Sequence, residues 1–239
     1  MKILITGGAS GLGEAVTKRL SKDERNTIFF TYFHSSENAR ALEKNYINVK
    51  GVYCDFSNED SISNLINDIE SMNLDILINN ALTGFTKNHF HKLDYNVFLK
   101  SFESNVMPII RITQKCLIEF RKRKFGKIIN ILTEALINNP RIGWSEYVAN
   151  KAYIESLSKS WAVENNRFCI TSNCISPSFL MTGLTSDTDE RVIEQIMNEQ
   201  PFGKLVTTEE VAEAVKYLIG CTQQINGINL IINGGKNMI

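Results

Sequence analysis

A chain of 239 residues that is 43% hydrophobic and 22% charged has the balance of a folded globular protein, which excludes disorder and fibrous repeats. Its 26 basic and 26 acidic side chains cancel, so no global electrostatic case exists for nucleic acid or an anionic membrane as partner. Cys54, Cys116, Cys169, Cys174 and Cys221 are scattered and odd in number, which argues against a disulfide framework or a metal site and for a reduced, cytoplasmic setting. No apolar leader or stretch of spanning length is expected.

Along the chain, short apolar runs alternate with segments of helical period. Residues 3–6 read as a buried strand, 11–21 as a helix, 27–32 as a strand and 37–45 as a helix. Residues 49–54 read as a strand, 60–70 as a helix, 75–79 as a strand and 96–122 as one long helix. Then come a strand at 127–132, a helix at 145–165, a strand at 170–175, a helix at 208–219 and a closing strand at 227–232. Strands that are apolar without alternation, separated by helices, predict an α/β fold. Right-handed crossovers make it a single Rossmann-type, doubly wound parallel sheet with helices on both faces. No linker or repeat divides residues 1–239, so one dinucleotide-binding domain is expected. Residues 179–203 lack strand character and read as an inserted loop with a short helix, a candidate substrate lid. The basic run Arg121-Lys122-Arg123-Lys124 closes the long helix, where cations complement the helix C-terminus.

Thr6-Gly7-Gly8-Ala9-Ser10-Gly11-Leu12-Gly13 joins the first strand to the first helix. Glycines there permit the turn, the close approach of a pyrophosphate and tight packing of helix on strand, and the helix start offers free N–H groups to an anion. Tyr147 and Lys151 stand four apart in a helical segment, so both face one site. Reducing a carbonyl leaves an oxyanion that needs a proton, and a tyrosine with a cation beside it can supply one.

The T-G-x-x-x-G-x-G spacing, Asn79-Asn80-Ala81 and Y-x-x-x-K, in that order from Thr6 to Gly235, resemble the short-chain dehydrogenase/reductase superfamily, in its short, 3-oxoacyl carrier-protein reductase-like branch. The resemblance implies an NAD(P)(H)-dependent oxidoreductase that reduces a keto group, with Tyr147 as acid/base and Lys151 holding the nicotinamide ribose. It implies that Asn105 anchors a proton relay, and that Thr6, Gly7, Ser10, Gly11, Leu12 and Gly13 hold the cofactor phosphates. Asp55 and Phe56 would meet the adenine, Asn79 and Ala81 would line the cofactor, and Pro177 and Thr182 would sit near the nicotinamide. The second strand ends without an acid at Thr31-Tyr32-Phe33-His34-Ser35-Ser36. There His34, Ser35, Ser36 and Arg40 could accept a 2′-phosphate, which favours NADP(H) and leaves NAD(H) possible.

Four positions depart from the family's pattern. The serine expected after the central strand falls on Thr133 if counted from the strand, and on Glu134 if counted 13 residues back from Tyr147. Thr133 is the choice taken, because a hydroxyl can donate the hydrogen bond that a glutamate would oppose. Leu82 and Ser178 replace glycines, and Asn233 replaces an acid. Two other functions stay open: a dehydratase or epimerase acting on a nucleotide sugar, and a catalytically silent cofactor-binding module. The substrate is expected to be a small or carrier-bound carbonyl compound, shaped by residues 85–96 and 179–203, with His89 and His91 as surface groups. Helices 96–122 and 145–165 resemble the family's four-helix interface, and residues 225–239 offer a further contact, so a homotetramer or homodimer is expected.

Overall fold

The computed structural model describes residues 1–137 and 139–236. Its elements in chain order are β1 (Lys2–Ile5), α1 (Gly11–Ser21), β2 (Thr27–Tyr32), α2 (Ser36–Asn45), β3 (Val49–Tyr53), α3 (Glu59–Met72) and β4 (Ile76–Asn79). There follow α4 (Tyr95–Asn105), α5 (Met107–Arg123), β5 (Gly126–Ile131), α6 (Ser145–Asn165), β6 (Ile170–Pro177), α7 (Glu190–Asn198), α8 (Thr208–Gly220) and β7 (Asn229–Ile232). The strands form one parallel sheet in the order β3-β2-β1-β4-β5-β6-β7. This is the doubly wound arrangement that the sequence predicts.

The unalternating strands are apolar because both faces are covered. In β1, Ile3 and Ile5 join a layer with Val16 and Leu20 of α1 and with Val211 and Val215 of α8. Leu4, between them, points the other way into a layer with Leu65 and Ile69 of α3, Ile112 and Phe120 of α5, and Ile154 and Trp161 of α6. The chain runs outward from β1 to β2 and β3, then returns to place β4 on the other side of β1. A crevice therefore opens beyond the strand ends at β1 and β4, where open α/β sheets take ligands.

The expected single helix over 96–122 is two helices, α4 and α5, meeting at Val106. Pro108 explains the break: it has no N–H to continue the ladder, and its ring crowds the carbonyl four residues back. Strand and helix ends elsewhere differ from expectation by a residue or two, as fraying ends do. The basic run at the end of α5 is engaged by its own chain. Arg121 Nε donates to Asn165 Oδ1 at 2.6 Å, Lys122 pairs with Glu119, and Arg123 pairs with Asp75 at 3.0 Å. No helix among the described residues is long and apolar enough to cross a membrane. Of the apolar C-terminal segment expected to make contacts, residues 237–239 lie outside the described residues.

Candidate active site

The turn after β1 lays the floor of the site. Gly7 has φ +65°, a conformation that side chains rarely adopt. A Cβ on Gly13 would run into the Gly7 carbonyl, so helix and turn meet with no room for a side chain. Thr6 is fully buried beneath the turn, where its hydroxyl accepts from the Asn80 and Ala81 amides at 2.9 and 3.0 Å. The Asn80 side-chain amide in turn donates to the Thr6 and Gly7 carbonyls at 2.9 and 3.2 Å. The phosphate-type turn and the end of β4 are thereby stapled together.

From this turn a cleft of about 1680 Å³ runs across the strand ends. Gly7, Ser10, Gly11, Leu12 and Gly13 line its start, with His34 and Ser35 beyond β2 and Asp55 and Phe56 beyond β3. Ala81, Pro177 and Thr182 line its middle, and Thr133, Tyr147 and Lys151 its far end. Thr182 lies against the glycine turn, close enough that a Cβ on Gly11 would meet its Cβ at 3.3 Å. Thr6 and Asn79 do not line the cleft. Asn79 points into the sheet, where its amide donates to Asn130 at 2.8 Å and to Thr113 at 3.2 Å. Ser36 and Arg40 also fall outside the lining residues.

Tyr147 and Lys151 occupy successive turns of α6 and converge with Thr133 at the end of β5. Burial pushes the Tyr147 phenol up to about 12, against a smaller downward pull from its hydrogen bond with the Thr133 hydroxyl. Lys151 Nζ donates to the Ile131 carbonyl at 2.7 Å, and burial draws its ammonium down to about 8. Asn105 ends α4 and holds the loop opposite: its Oδ1 accepts from the Thr83 amide at 2.8 Å, and its Nδ2 donates to the Gly84 carbonyl at 3.2 Å. Among the described residues no hydrogen bond joins Asn105 directly to Lys151.

Three neighbours were not signalled by motif spacing. Phe85 stacks on the Tyr147 ring with centroids 4.7 Å apart, and Trp144 meets it edge-on at 5.5 Å. Arg141 lies over the rings of Phe179 and Trp144 at 4.7 and 5.4 Å. Trp144 stands three residues before Tyr147, a helical spacing that could have drawn attention to it. Phe85 and Arg141 belong to loops and carry no such mark.

A family model described as short chain dehydrogenase matches residues 1–193. The chain belongs to the short-chain dehydrogenase family. Among similar proteins, a 3-oxoacyl-acyl-carrier-protein reductase of Rickettsia prowazekii is 30% identical over 99% of this chain and 96% of its own length. Nodulation protein G of a Rhizobium species is 31% identical over 100% of this chain and 97% of its own. A solved actinorhodin polyketide ketoreductase variant with NADPH superposes with a TM-score of 0.87 at 26% identity, covering 98% of this chain and 96% of that one. As a short-chain dehydrogenase, the protein is an NAD(P)-dependent oxidoreductase. Its cleft fits a dinucleotide: the turn excludes side chains where a pyrophosphate would lie, and the cleft extends from there to the Tyr147 phenol.

Two departures from the family's pattern touch each other. The Ser178 hydroxyl donates to Glu134 Oε1 at 2.7 Å and accepts from the Gln200 amide at 3.1 Å.

Proposed function

We propose that this short-chain dehydrogenase uses NADPH to reduce the keto or aldehyde group of a small or carrier-bound substrate, with Tyr147 as the proton donor. The observation that carries the reading is the meeting of the Tyr147 and Thr133 hydroxyls at the end of a cleft that begins at the glycine turn. When bound, the nicotinamide supplies the hydride that makes a carbonyl carbon into an alcohol carbon. The protein's part is proton transfer and positioning. Thr133 holds the substrate oxygen by a hydrogen bond, and the Tyr147 phenol gives that oxygen its proton. A phenol held near 12 stays protonated at neutral pH, which suits donation and therefore the reductive direction. The buried Lys151 ammonium favours the tyrosinate left behind and is placed to hold the cofactor ribose. Asn105 shapes the loop at 83–84 and is the candidate anchor for a water feeding protons to Lys151.

NADP(H) is preferred in this reading because no acid ends β2, while His34 and Ser35 line the cleft there and can donate to a 2′-phosphate. The relatives that reduce 3-oxoacyl groups and a polyketide, one of them solved with NADPH, support both the direction and the cofactor. Residues 179–203 serve as the lid, with Thr182 already against the glycine turn. Exposed Tyr95 and Leu99 on α4, Ile118 on α5, and Tyr153 and Val163 on α6 support a homotetramer or homodimer built through these helices. Light scattering at micromolar concentration would refute it by finding a 27.1 kDa particle. The free cysteines are consistent with a cytoplasmic location.

The deciding experiment titrates the protein with NADPH and NADH by nicotinamide fluorescence, then assays carbonyl reduction in wild type and Tyr147→Phe. NADPH-dependent turnover that disappears in Tyr147→Phe supports the reading. No binding of either cofactor would make the chain a silent module instead.

A further inference from the structure

The substrate end of the cleft holds two charged groups whose bonding capacity is unused. Glu134 directly follows Thr133, and both line the cleft. Its Oε1 is fixed by Ser178, and Ser178 by Gln200, yet Oε2 is shut away from solvent with no hydrogen-bond partner. A carboxylate oxygen in that state has lost its water and gained nothing in return. Arg141 complements it. The rings of Phe179 and Trp144 occupy the faces of its guanidinium, but stacking leaves the in-plane N–H donors free. Among the described residues its side chain makes no hydrogen bond or ion pair. Glu134 and Glu199 both attract it through space, and Glu199 is already paired with Lys236 at 2.8 Å.

A ligand that answers both groups must give a hydrogen bond to Glu134 and accept one from Arg141. A hydroxyl does both. The region beside the carbonyl of a 3-oxoacyl ester or thioester offers acceptors only, and would set one of them against the carboxylate. An ammonium would satisfy Glu134 but would bring a second cation up to Arg141.

We propose that the substrate is a hydroxylated ketone or aldehyde, bearing a hydroxyl next to the reacting carbonyl that donates to Glu134 and accepts from Arg141. This rests on the reading of Tyr147 and Thr133 as the carbonyl site. Ser178 and Gln200 are positioning residues, acting on the substrate through the Glu134 carboxylate. The two departures from the family's pattern at 134 and 178 are then one device, since a glycine at 178 would leave the carboxylate unheld.

The test compares 2-hydroxycyclohexanone with cyclohexanone, using NADPH consumption and reading the ratio of their kcat/KM values. The wild-type ratio is expected to favour the hydroxyketone about tenfold or more, as a hydrogen bond to a charged group would give. In Glu134→Leu the ratio falls to near one, and in Ser178→Gly it falls part-way through a higher KM for the hydroxyketone. A general loss of activity lowers both rates and leaves the ratio unmoved, so a damaged variant does not mimic the result. A wild-type ratio near one, or a ratio unchanged in Glu134→Leu, overturns the proposal, as does a preference for 2-aminocyclohexanone over the hydroxyketone. If NADPH binds but neither ketone reacts, thermal shifts with cyclohexane-1,2-diol and cyclohexanol decide. A larger shift for the diol that is lost in Glu134→Leu sustains the hydroxyl site, and equal shifts sink it. If no nicotinamide binds at all, carbonyl reduction fails as a reading, and the same pair of alcohols without cofactor still judges the hydroxyl site.

Discussion

The Phe85 ring lies almost parallel to the Tyr147 ring, 27° between planes and 4.7 Å between centroids, so a loop residue closes one side of the proton donor. Aromatic contacts of this kind contribute about 0.5–1.5 kcal/mol, and this one also keeps water off the phenol. In Phe85→Ala the phenol is expected to titrate below its present value near 12, moving toward 10 as water reaches it. Ultraviolet pH titration, with Tyr147→Phe subtracted, would detect the shift. A kcat/KM about tenfold lower should accompany it, and an unmoved titration would show that Phe85 does not shield the phenol.

Lys151 links activity to pH. Its ammonium sits near 8, so reduction that depends on its charge should decline as pH rises through about 8, well before the phenol ionises. The effect on stability has the opposite sign. Between about 8 and the ordinary lysine value the unfolded chain holds a proton that the native chain lacks, so this residue's burden on stability eases as pH rises through that window. Lys151→Met is therefore expected to abolish turnover yet raise stability at pH 7 by about 1–3 kcal/mol, measured by denaturant unfolding. A destabilised variant would mean that the bond to the Ile131 carbonyl outweighs the cost of burying the charge.

Gly13 leaves no room for a methyl group. Gly13→Ala should weaken NADPH binding at least tenfold and cost about 1–3 kcal/mol of stability, because its Cβ meets the Gly7 carbonyl. Gly220→Ala is the control: a Cβ there meets nothing within 4 Å, and cofactor affinity should stay as it is. Fluorescence titration of both variants would separate the glycine turn from general sensitivity to alanine.

Cofactor choice should yield to one carboxylate. His34→Asp places an acid just beyond β2, where it can take hydrogen bonds from a ribose diol and repel a 2′-phosphate. The ratio of NADPH to NADH affinity is expected to drop by about a hundredfold. A ratio that does not move would locate 2′-phosphate recognition elsewhere in the cleft.

The features legible in the sequence were those encoded over a few residues. The glycine turn and the Tyr147–Lys151 spacing each lie within one turn or helix, and every strand appeared as a run of apolar residues. Pro108 carried the signal for the break between α4 and α5, but the apolar period continues across it and outweighed one proline. Asn79 and Asn80 are adjacent in a familiar motif, and nothing local tells which faces the sheet and which the turn. Glu134 and Ser178 are 44 residues apart, so their contact became visible only when β5 and β6 paired side by side. Arg141 and Phe85 likewise acquire meaning from rings contributed by other parts of the chain.

The staple between Thr6 and Asn80 limits how such a protein can diversify. Two amides share one hydroxyl, and the amide side chain returns the hold, so the width of the crevice floor is set by hydrogen-bond lengths. A valine in place of Thr6 would keep the bulk but strand both amides. Novelty is therefore confined to the rim: descendants of this scaffold can exchange the residues around Phe85, Arg141 and Thr182 for new clientele, while the foundation below tolerates almost no revision.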